Sequence, residues 1–139
     1  MSNNNKAKGV IYEYKFFEQM LSRGYELFIP AGDNLGTDCI IQNSSGEILK
    51  IQIKGTSKPQ KRPTNGLRYK VNAATGSSTK NPIDCMDVDI LAVYIAPHDI
   101  WYIIPCINLG NRKSIWFYPD NKNSTAQLEE YKNAWGVLD

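Results

Sequence analysis

The segment ILKIQIKGTS, from Ile48 to Ser57, alternates apolar and polar side chains over most of its length. This alternation predicts a half-buried β-strand, because successive side chains of a strand point to opposite faces of the sheet. Gln52 and Lys54 therefore project together from the middle of the strand. The apolar side is formed by Leu49, Ile51 and Ile53. What the polar face meets must be inferred from the rest of the chain.

The chain has 139 residues, of which 42% are hydrophobic, and this fits one compact domain. We predict a single domain over residues 1–139, with residues 1–8 as a flexible tail. The net charge of +2 is too small to indicate a polyanionic partner by itself. The start of the sequence has no long apolar run, so we expect neither a signal peptide nor a membrane span, and a cytoplasmic protein.

Three cysteines, Cys39, Cys85 and Cys106, stand at no paired short spacing. The only histidine, His98, lies in a polar turn, where a solvated side chain is expected. This pattern predicts reduced thiols in a cytoplasmic protein and no cysteine-based metal site.

Periodicity predicts a helix near each end of the chain, with strands between them. Apolar side chains recur at helical spacing from Val10 to Arg23, and Gly24 supplies a stop. Ser124 and Gln127 have the spacing of a capping box and predict a C-terminal helix. Residues 55–68 are predicted as a loop. Strands are predicted at residues 25–29, 37–42, 48–54, 69–72, 88–97 and 100–105, so the fold is α/β or α+β.

Two carboxylates occupy unusual places in this pattern. Glu13 falls between Met20 and Phe17 on the apolar stripe of the first helix, and burying it unpaired would cost several kcal/mol. It needs a cation or, in the simpler alternative, a structural salt bridge to a lysine. Asp38 stands at a strand entrance after Gly36, where an ordinary turn carboxylate is the alternative.

A hairpin between the strands at 37–42 and 48–54 would bring Asp38 within reach of the polar face that carries Gln52 and Lys54. Glu13 could then join them from the helix. Carboxylate and amide oxygens suit a hard divalent ion, and a lysine can stabilise the charge that develops on a phosphate. The four residues together favour phosphodiester hydrolysis.

The spacing Asp38, thirteen residues, then Gln52-Ile53-Lys54, preceded by a helix that bears Glu13, resembles the PD-(D/E)XK nuclease superfamily. Within it, the chain is similar to the group I intron-associated homing endonucleases, which also carry glutamine before the x-Lys element. The resemblance covers most of the length, including the segments RGYELFIPAGDNLGTD (23–38), LKIQIKGT (49–56), DVDILAVYIAPHDIWYIIP (87–105) and EEYKNAW (129–135).

The resemblance implies a restriction-endonuclease-like α/β core, with a mixed sheet flanked by helices. It implies that Asp38, Gln52 and Glu13 are metal ligands, that Lys54 completes the catalytic set, and that the ion is Mg²⁺, with Mn²⁺ as a substitute. Gln52 departs from the common pattern, because most members have Glu or Asp there and an amide adds no negative charge. Thr37 stands where the motif has proline.

Basic residues after the proposed catalytic strand are expected to contact DNA phosphates, although they could be merely solvated loop charges. They are Lys58, Lys61, Arg62, Arg68, Lys70 and Lys80. Asp87 and Asp89 are expected to be structural. The aromatic residues Trp101, Tyr102, Trp116, Phe117 and Tyr118 are expected in the core or an oligomer interface in preference to stacking on bases.

The sequence therefore predicts a metal-dependent endonuclease that cuts double-stranded DNA. Because one small domain supplies one site and a duplex has two strands, we expect a homodimer or homotetramer. Two alternatives remain open at this stage. A Holliday junction resolvase would act on branched DNA with a similar helix-first fold, and a cleavage-deficient DNA-binding module would have Gln52 as its damaged position.

Overall fold

A computed structural model describes residues 2–32, 36–61, 66–75, 81–121 and 128–139 of the chain. One α-helix, α1, spans Ser2–Ser22. Four short 3₁₀ turns cover Ala96–His98, Cys106–Asn108, Glu129–Tyr131 and Trp135–Leu138. The strands are β1 (Glu26–Phe28), β2 (Cys39–Gln42), β3 (Ile48–Thr56), β4 (Gln60–Lys61), β5 (Leu67–Asn72), β6 (Ala74–Thr75), β7 (Asn81–Pro82), β8 (Ile90–Ile95), β9 (Ile100–Pro105) and β10 (Ser114–Phe117).

A five-stranded sheet in the order β1-β2-β3-β8-β9 forms the centre of the fold. Strands β3 and β8 are parallel, with Gln52 beside Leu91, and the other neighbouring pairs are antiparallel. The sheet is therefore mixed, and the predicted restriction-endonuclease-like α/β class is confirmed. All six residues of β8 are buried, which is typical of a strand covered on both faces.

Helix α1 covers one face of this sheet. Its side chains Phe16 and Met20 are fully buried and pack in one cluster with Ile51 of β3 and Ile103 of β9. Burying a side chain the size of phenylalanine stabilises a fold by about 1.5–3 kcal/mol. This packing holds α1 across β3, the strand that carries the polar face. None of the helices in the described residues is long and apolar enough to cross a membrane.

A second, three-stranded sheet in the order β10-β5-β4 covers the other face. Tyr69 and Val71 of β5 pack in one cluster with Val93 of β8 and Tyr102 of β9. The strand at β5 was predicted, but β4 and β10 were not. Both are short, and β4 lies in the segment expected to be a loop, so neither presents enough alternation to be recognised.

The first helix begins eight residues earlier than predicted, at Ser2. Residues 2–9 carry polar and small side chains without an apolar stripe, and periodicity cannot detect such a turn. Lys8 Nζ donates a hydrogen bond to Ser57 Oγ at 3.1 Å, which ties this part of the helix to the end of β3. The expectation of a tail over residues 1–8 is wrong for the described residues of that segment.

The prediction of a C-terminal α-helix is also wrong in the part that is described. Residues 128–139 form two 3₁₀ turns, and Asn133 interrupts them with a positive φ of 53°. Its side-chain oxygen accepts a hydrogen bond from the Trp101 backbone N–H at 3.3 Å. The proposed capping residues Ser124 and Gln127 lie outside the described residues.

Not all cysteines are reduced, because Cys85 and Cys106 form a disulfide. The two residues are 21 positions apart, and spacing alone gives no connectivity. The Cys106 N–H donates to Asp89 O at 2.8 Å, which places Cys106 beside the start of β8, and Cys85 lies five residues before that strand. Cys39 is free and buried, and burial raises the pKa of its thiol to about 12.

His98 is not simply solvated. Its Nε2 atom lies 3.1 Å from Tyr69 Oη, and its Nδ1 atom lies 3.6 Å from Asp120 Oδ1. Asp89 is structural, as expected, because its Oδ2 atom accepts the Lys50 backbone N–H at 2.8 Å. Among the aromatic residues, Trp101, Tyr102 and Phe117 are buried in the core as predicted, whereas Trp116 is only half-buried.

A close contact between Gly55 of β3 and Tyr12 of α1 sets the distance between helix and sheet. A Cβ atom at Gly55 would lie 2.4 Å from Tyr12 Cδ2 and 2.7 Å from Cε2. Real side chains do not approach this closely, so the ring or the helix would have to move. Only glycine permits Tyr12 to lie directly on the strand.

We predict that Gly55→Ala destabilises the protein by about 1–3 kcal/mol, the usual cost of overpacking. Gly9→Ala is the matched control, because a Cβ atom there meets nothing within 4 Å and alanine favours the helix. Urea unfolding measures both. The account is contradicted if the Gly55→Ala penalty persists unchanged in a Tyr12→Ala background, since the clash would then lie elsewhere.

Candidate active site

Asp38 lies where β2 separates from β3. Cys39, the first residue of β2, pairs with Ile51, and the Asp38 N–H still donates to Ile51 O at 2.8 Å. Beyond this point β2 offers no partner to the backbone of Ile53, whose N–H instead donates to Asp38 Oδ2 at 2.6 Å. Where β2 and β3 separate, the Asp38 carboxylate therefore accepts the hydrogen bond that a neighbouring strand would otherwise accept. This hydrogen bond orients Asp38, and it partly opposes the burial that raises the pKa of the Asp38 carboxyl group.

Gln52 is the polar residue of β3 next to the point where β2 and β3 separate. It is only 7% exposed, and its Oε1 atom has no hydrogen-bond partner among the described residues. An unpaired buried carbonyl oxygen is costly, so native proteins rarely retain one without a reason. A metal ion or a water molecule is the kind of partner that a lone buried oxygen accepts.

Glu13 reaches the same point from α1 and shares a hydrogen bond with Asp38. Burial is the main cause that raises the pKa of the Glu13 carboxyl group, and the nearby Asp38 charge and their hydrogen bond raise it further. Burial also raises the pKa of Asp38, although the Ile53 N–H, Lys54 and Glu13 oppose this. The pKa values of both carboxyl groups are therefore raised, and the interaction between them raises that of Glu13 while it opposes the rise at Asp38.

Lys54 lies two residues beyond Gln52 on the same face of β3 and is half-buried. Burial raises the pKa of the Asp38 carboxyl group, and the positive charge of Lys54 partly opposes this rise. Gly55, the next residue of β3, lies directly against Tyr12, so this part of the strand is close to α1. Lys54 is thus placed beside the carboxylates by two fixed elements.

One cleft of about 570 Å³ is lined by all four predicted residues, Glu13, Asp38, Gln52 and Lys54. Tyr12, Lys8 and Ser57 also line it, as does Lys58. The structure therefore brings together residues from α1, the start of β2 and the middle of β3, which are distant in sequence. Gln52 and Lys54 lie on the face of β3 opposite to Ile51 and Ile53, which pack against α1, and the cleft brings them together with Glu13 where β2 separates from β3.

The side-chain oxygens of Glu13, Asp38 and Gln52 could bind a divalent ion, but they supply less negative charge than such a site usually has. Within the described ranges, no group of three or more His, Cys, Asp or Glu side chains is arranged to hold a metal. The reason is Gln52, which supplies an amide oxygen where a third carboxylate is usual. That oxygen is buried and unpaired beside Asp38, and amide and carboxylate oxygens are both ligands for Mg²⁺ and Mn²⁺. By this test the residues fit a hard ion.

Four of the six basic residues predicted to contact DNA lie in the described part of the chain. Lys58 lines the cleft, Lys61 lies in β4, and Arg68 and Lys70 lie in β5. Arg62 and Lys80 lie outside the described residues. Of the four described basic residues, Lys58 is the one that lines the cleft with the predicted catalytic residues.

Sequence reasoning missed Tyr12, Gly55 and Lys8, which shape the cleft. Glycine in the interior of a polar-faced strand is a signal of close backbone approach, so Gly55 could have been found. Tyr12 and Lys8 carry no such signal. Tyr12 lies near the apolar stripe of α1 and looks like a core residue, and Lys8 lies in the first part of the helix, where the sequence has no apolar periodicity.

A mixed sheet with polar groups gathered where two of its strands diverge defines a nuclease fold of the restriction-endonuclease type. The chain belongs to the PD-(D/E)XK endonuclease family, whose model matches residues 3–138. Nucleases of this family generally use divalent metal ions and act on DNA.

The structure is similar to that of a bacterial homing endonuclease, I-Ssp6803I. The TM-score is 0.78 and the identity 22%, over 96% of this chain and 91% of that chain. No curated protein matches the sequence. The family predicted from the sequence is thus confirmed, and so is the resemblance to homing endonucleases in fold.

We predict that Glu13→Gln raises the thermal stability of the metal-free protein at pH 8 by about 2–5 °C. The folded-state pKa of Glu13 is raised above its usual value of 4.5, so the neutral form is the one that favours folding. Its stabilising effect is present below pH 4.5 and is lost as pH rises through the raised pKa. Glutamine keeps a neutral donor to Asp38 at all pH values.

Calorimetry at pH 4.5 and pH 8 in EDTA measures this difference. The exposed Glu18 of the same helix provides the control, because Glu18→Gln removes a charge without relieving burial. A gain for Glu13→Gln that is equal at both pH values would show that ionisation is not its cause.

Proposed function

We propose that the protein is a metal-dependent endonuclease that hydrolyses phosphodiester bonds of double-stranded DNA, in the manner of a homing endonuclease. The observation that carries the proposal is the buried, unpaired Gln52 Oε1 beside the Glu13–Asp38 pair, in a cleft that also contains Lys54. Fold and family alone supply only the general class. The arrangement adds the side-chain oxygens of Glu13, Asp38 and Gln52, together with the ammonium group of Lys54, in one cleft.

Asp38, Gln52 and Glu13 would hold the ion, with Mg²⁺ as the expected metal and Mn²⁺ as a substitute. Such an ion polarises a phosphate oxygen and makes a bound water a better nucleophile. Asp38 is already oriented by the Ile53 N–H, so it needs no rearrangement to act as a ligand. Glu13 can act as a ligand only when ionised, so its raised pKa makes ion binding stronger as pH rises.

Lys54 would place its ammonium group against the phosphate that is attacked. Negative charge grows on the non-bridging oxygens as the new bond forms, and a fixed cation in a half-buried cleft stabilises that charge more than solvent can. Lys54 lines the same cleft as Asp38, so its ammonium group can reach a phosphate bound there.

The chain supplies one such cleft, and a duplex has two strands to cut. We therefore propose that a homodimer or homotetramer is the active form, since symmetry pairs two identical sites. Lys58 at the edge of the cleft would neutralise a neighbouring phosphate. The other predicted basic contacts lie further along the chain.

One observation favours a second function, a DNA-binding module of the same fold that does not cleave. Within the described residues the corner contains only two carboxylates, and Gln52 adds no negative charge to attract an ion. Titration calorimetry with Mn²⁺ separates the two functions. An endonuclease binds the ion at the cleft, whereas the module binds DNA and no ion.

Incubation with supercoiled plasmid, linear duplex and four-way-junction DNA in Mg²⁺ tests the proposal. We expect cleavage of duplex by the wild type and a loss of at least about 100-fold in rate for Lys54→Ala, the size of effect usual for removing a group that stabilises developing charge. The control is Lys50→Ala, because Lys50 lies on the same face of β3 but outside the cleft. Undiminished cleavage by Lys54→Ala contradicts the assigned role.

We predict that Gln52→Glu tightens Mn²⁺ binding by about tenfold, because ligand charge sets the affinity of oxygen sites for hard cations. Without metal, the same substitution should lower stability, since it adds a third acid to the buried Glu13–Asp38 pair. Titration calorimetry and thermal unfolding in EDTA measure the two effects. Gln42→Glu, outside the cleft on β2, should change neither, and unchanged affinity for Gln52→Glu argues against Gln52 as a ligand.

A further inference from the structure

The outer face of the three-stranded sheet β10-β5-β4 turns away from the core. Tyr69 and Val71 of β5 point inward, so Arg68 and Lys70 point outward. Trp116 of β10 is the direct cross-strand neighbour of Lys70 and therefore belongs to the same face. We call the surface formed by Arg68, Lys70 and Trp116 the outer face.

Two cations surround one indole ring on this face. The guanidinium carbon of Arg68 lies 3.9 Å from the Trp116 ring centroid, and Lys70 Nζ lies 5.7 Å from it. Arg68 Nε is buried and has no hydrogen-bond partner among the described residues. The guanidinium thus lies over the ring, and this contact restricts where its donors can point before any ligand arrives.

A second arginine–tryptophan stack in the same protein provides a comparison. Arg23 lies 4.0 Å from the Trp135 ring centroid, but its Nε donates to Gln19 Oε1 at 3.2 Å, and the adjoining cleft is also lined by Glu26 and Asp139. That stack has polar and acidic surroundings of its own. In contrast, strands β4, β5 and β10, which carry Arg68 and its cross-strand neighbours, contain no Asp or Glu.

The charge around the outer face is one-sided over a longer stretch. Residues 48–83 contain eight of the 16 Lys and Arg and none of the 14 Asp and Glu of the chain. The net charge of +2 hides this separation. Two like charges on one ring, without a counter-charge on their strands, repel each other, so an anionic ligand would relieve the repulsion.

The outer face lies close to the cleft. Lys58 lines the cleft, Gln60 follows two residues later, and Gln60 pairs with Arg68. Since a chain advances at most about 3.6 Å per residue and paired strands lie about 5 Å apart, the Cα atom of Arg68 is within about 12 Å of that of Lys58. This is much less than one turn of duplex DNA, about 34 Å.

We propose that the outer face is a second DNA contact, in which Trp116 positions Arg68 as a two-pronged donor to the duplex that occupies the cleft. The proposal rests on the proposed function, which makes DNA the partner. Trp116 acts here as a positioning residue. The chemistry recognised is a pair of acceptors, which a phosphate or the O6 and N7 atoms of a guanine can supply.

Binding of a fluorescent 30-base-pair duplex with a randomised centre, measured by anisotropy in EDTA, tests the proposal without metal or cleavage. We expect Arg68→Lys to weaken binding by about tenfold, the effect of losing a bidentate contact, with an unchanged salt slope because the charge remains. Trp116→Leu should weaken it similarly, and Trp116→Phe should restore most of the affinity since a ring is retained. Arg23→Lys is the matched control and should bind like the wild type.

Wild-type affinity in Arg68→Lys, or failure of the wild type to bind the duplex, overturns the proposal. If Trp116→Leu does not fold, Arg68→Lys and Trp116→Phe still decide it. Sequencing the bound DNA separates the two sources of acceptors, because a lost preference at one base pair indicates guanine and a uniform loss indicates phosphate. Preference for duplex RNA over DNA also counts against it. Plasmid cleavage in Mg²⁺ is measured separately, so failure of the proposed function is distinguishable from failure of the outer face.

Discussion

The hydrogen bond from the Ile53 N–H to Asp38 Oδ2 is the constraint on which the site depends. A strand that leaves its neighbour exposes backbone donors, and buried donors must be satisfied. Here a side chain at the point of separation replaces the missing strand. The same bond that completes the sheet therefore aims a carboxylate into the cleft, and the geometry of the site follows from the backbone of β3.

The remaining groups are held against this point by packing. Helix α1 is anchored by Phe16 and Met20, and the contact between Tyr12 and Gly55 sets its distance from β3. Glu13, the residue after Tyr12, is thereby carried to the cleft that Asp38 also lines. This arrangement has an energetic cost, because the carboxyl groups of Glu13 and Asp38 and the unpaired Gln52 Oε1 atom are partly or fully removed from solvent in one cleft. This cost is what an ion or substrate would relieve.

Much of this arrangement can be predicted from the sequence, because it follows from the periodicities of strands and helices. The alternation over Ile48–Ser57 places Gln52 and Lys54 on one face, and the helical phase of Glu13 turns it toward the sheet. Features that depend on contacts between distant segments cannot be predicted from local sequence patterns. The Cys85–Cys106 disulfide, the early start of α1 and the half-buried position of Trp116 all result from how distant segments meet.

The central claim is that Gln52 Oε1, with the carboxylates of Asp38 and Glu13, completes an ion site. A crystal structure with Mn²⁺, with data collected at the manganese absorption edge, tests it most directly. The account predicts one anomalous peak in the cleft, in contact with Asp38 and the Gln52 side-chain oxygen. An empty cleft at saturating Mn²⁺, or an ion that contacts neither side chain, would contradict it.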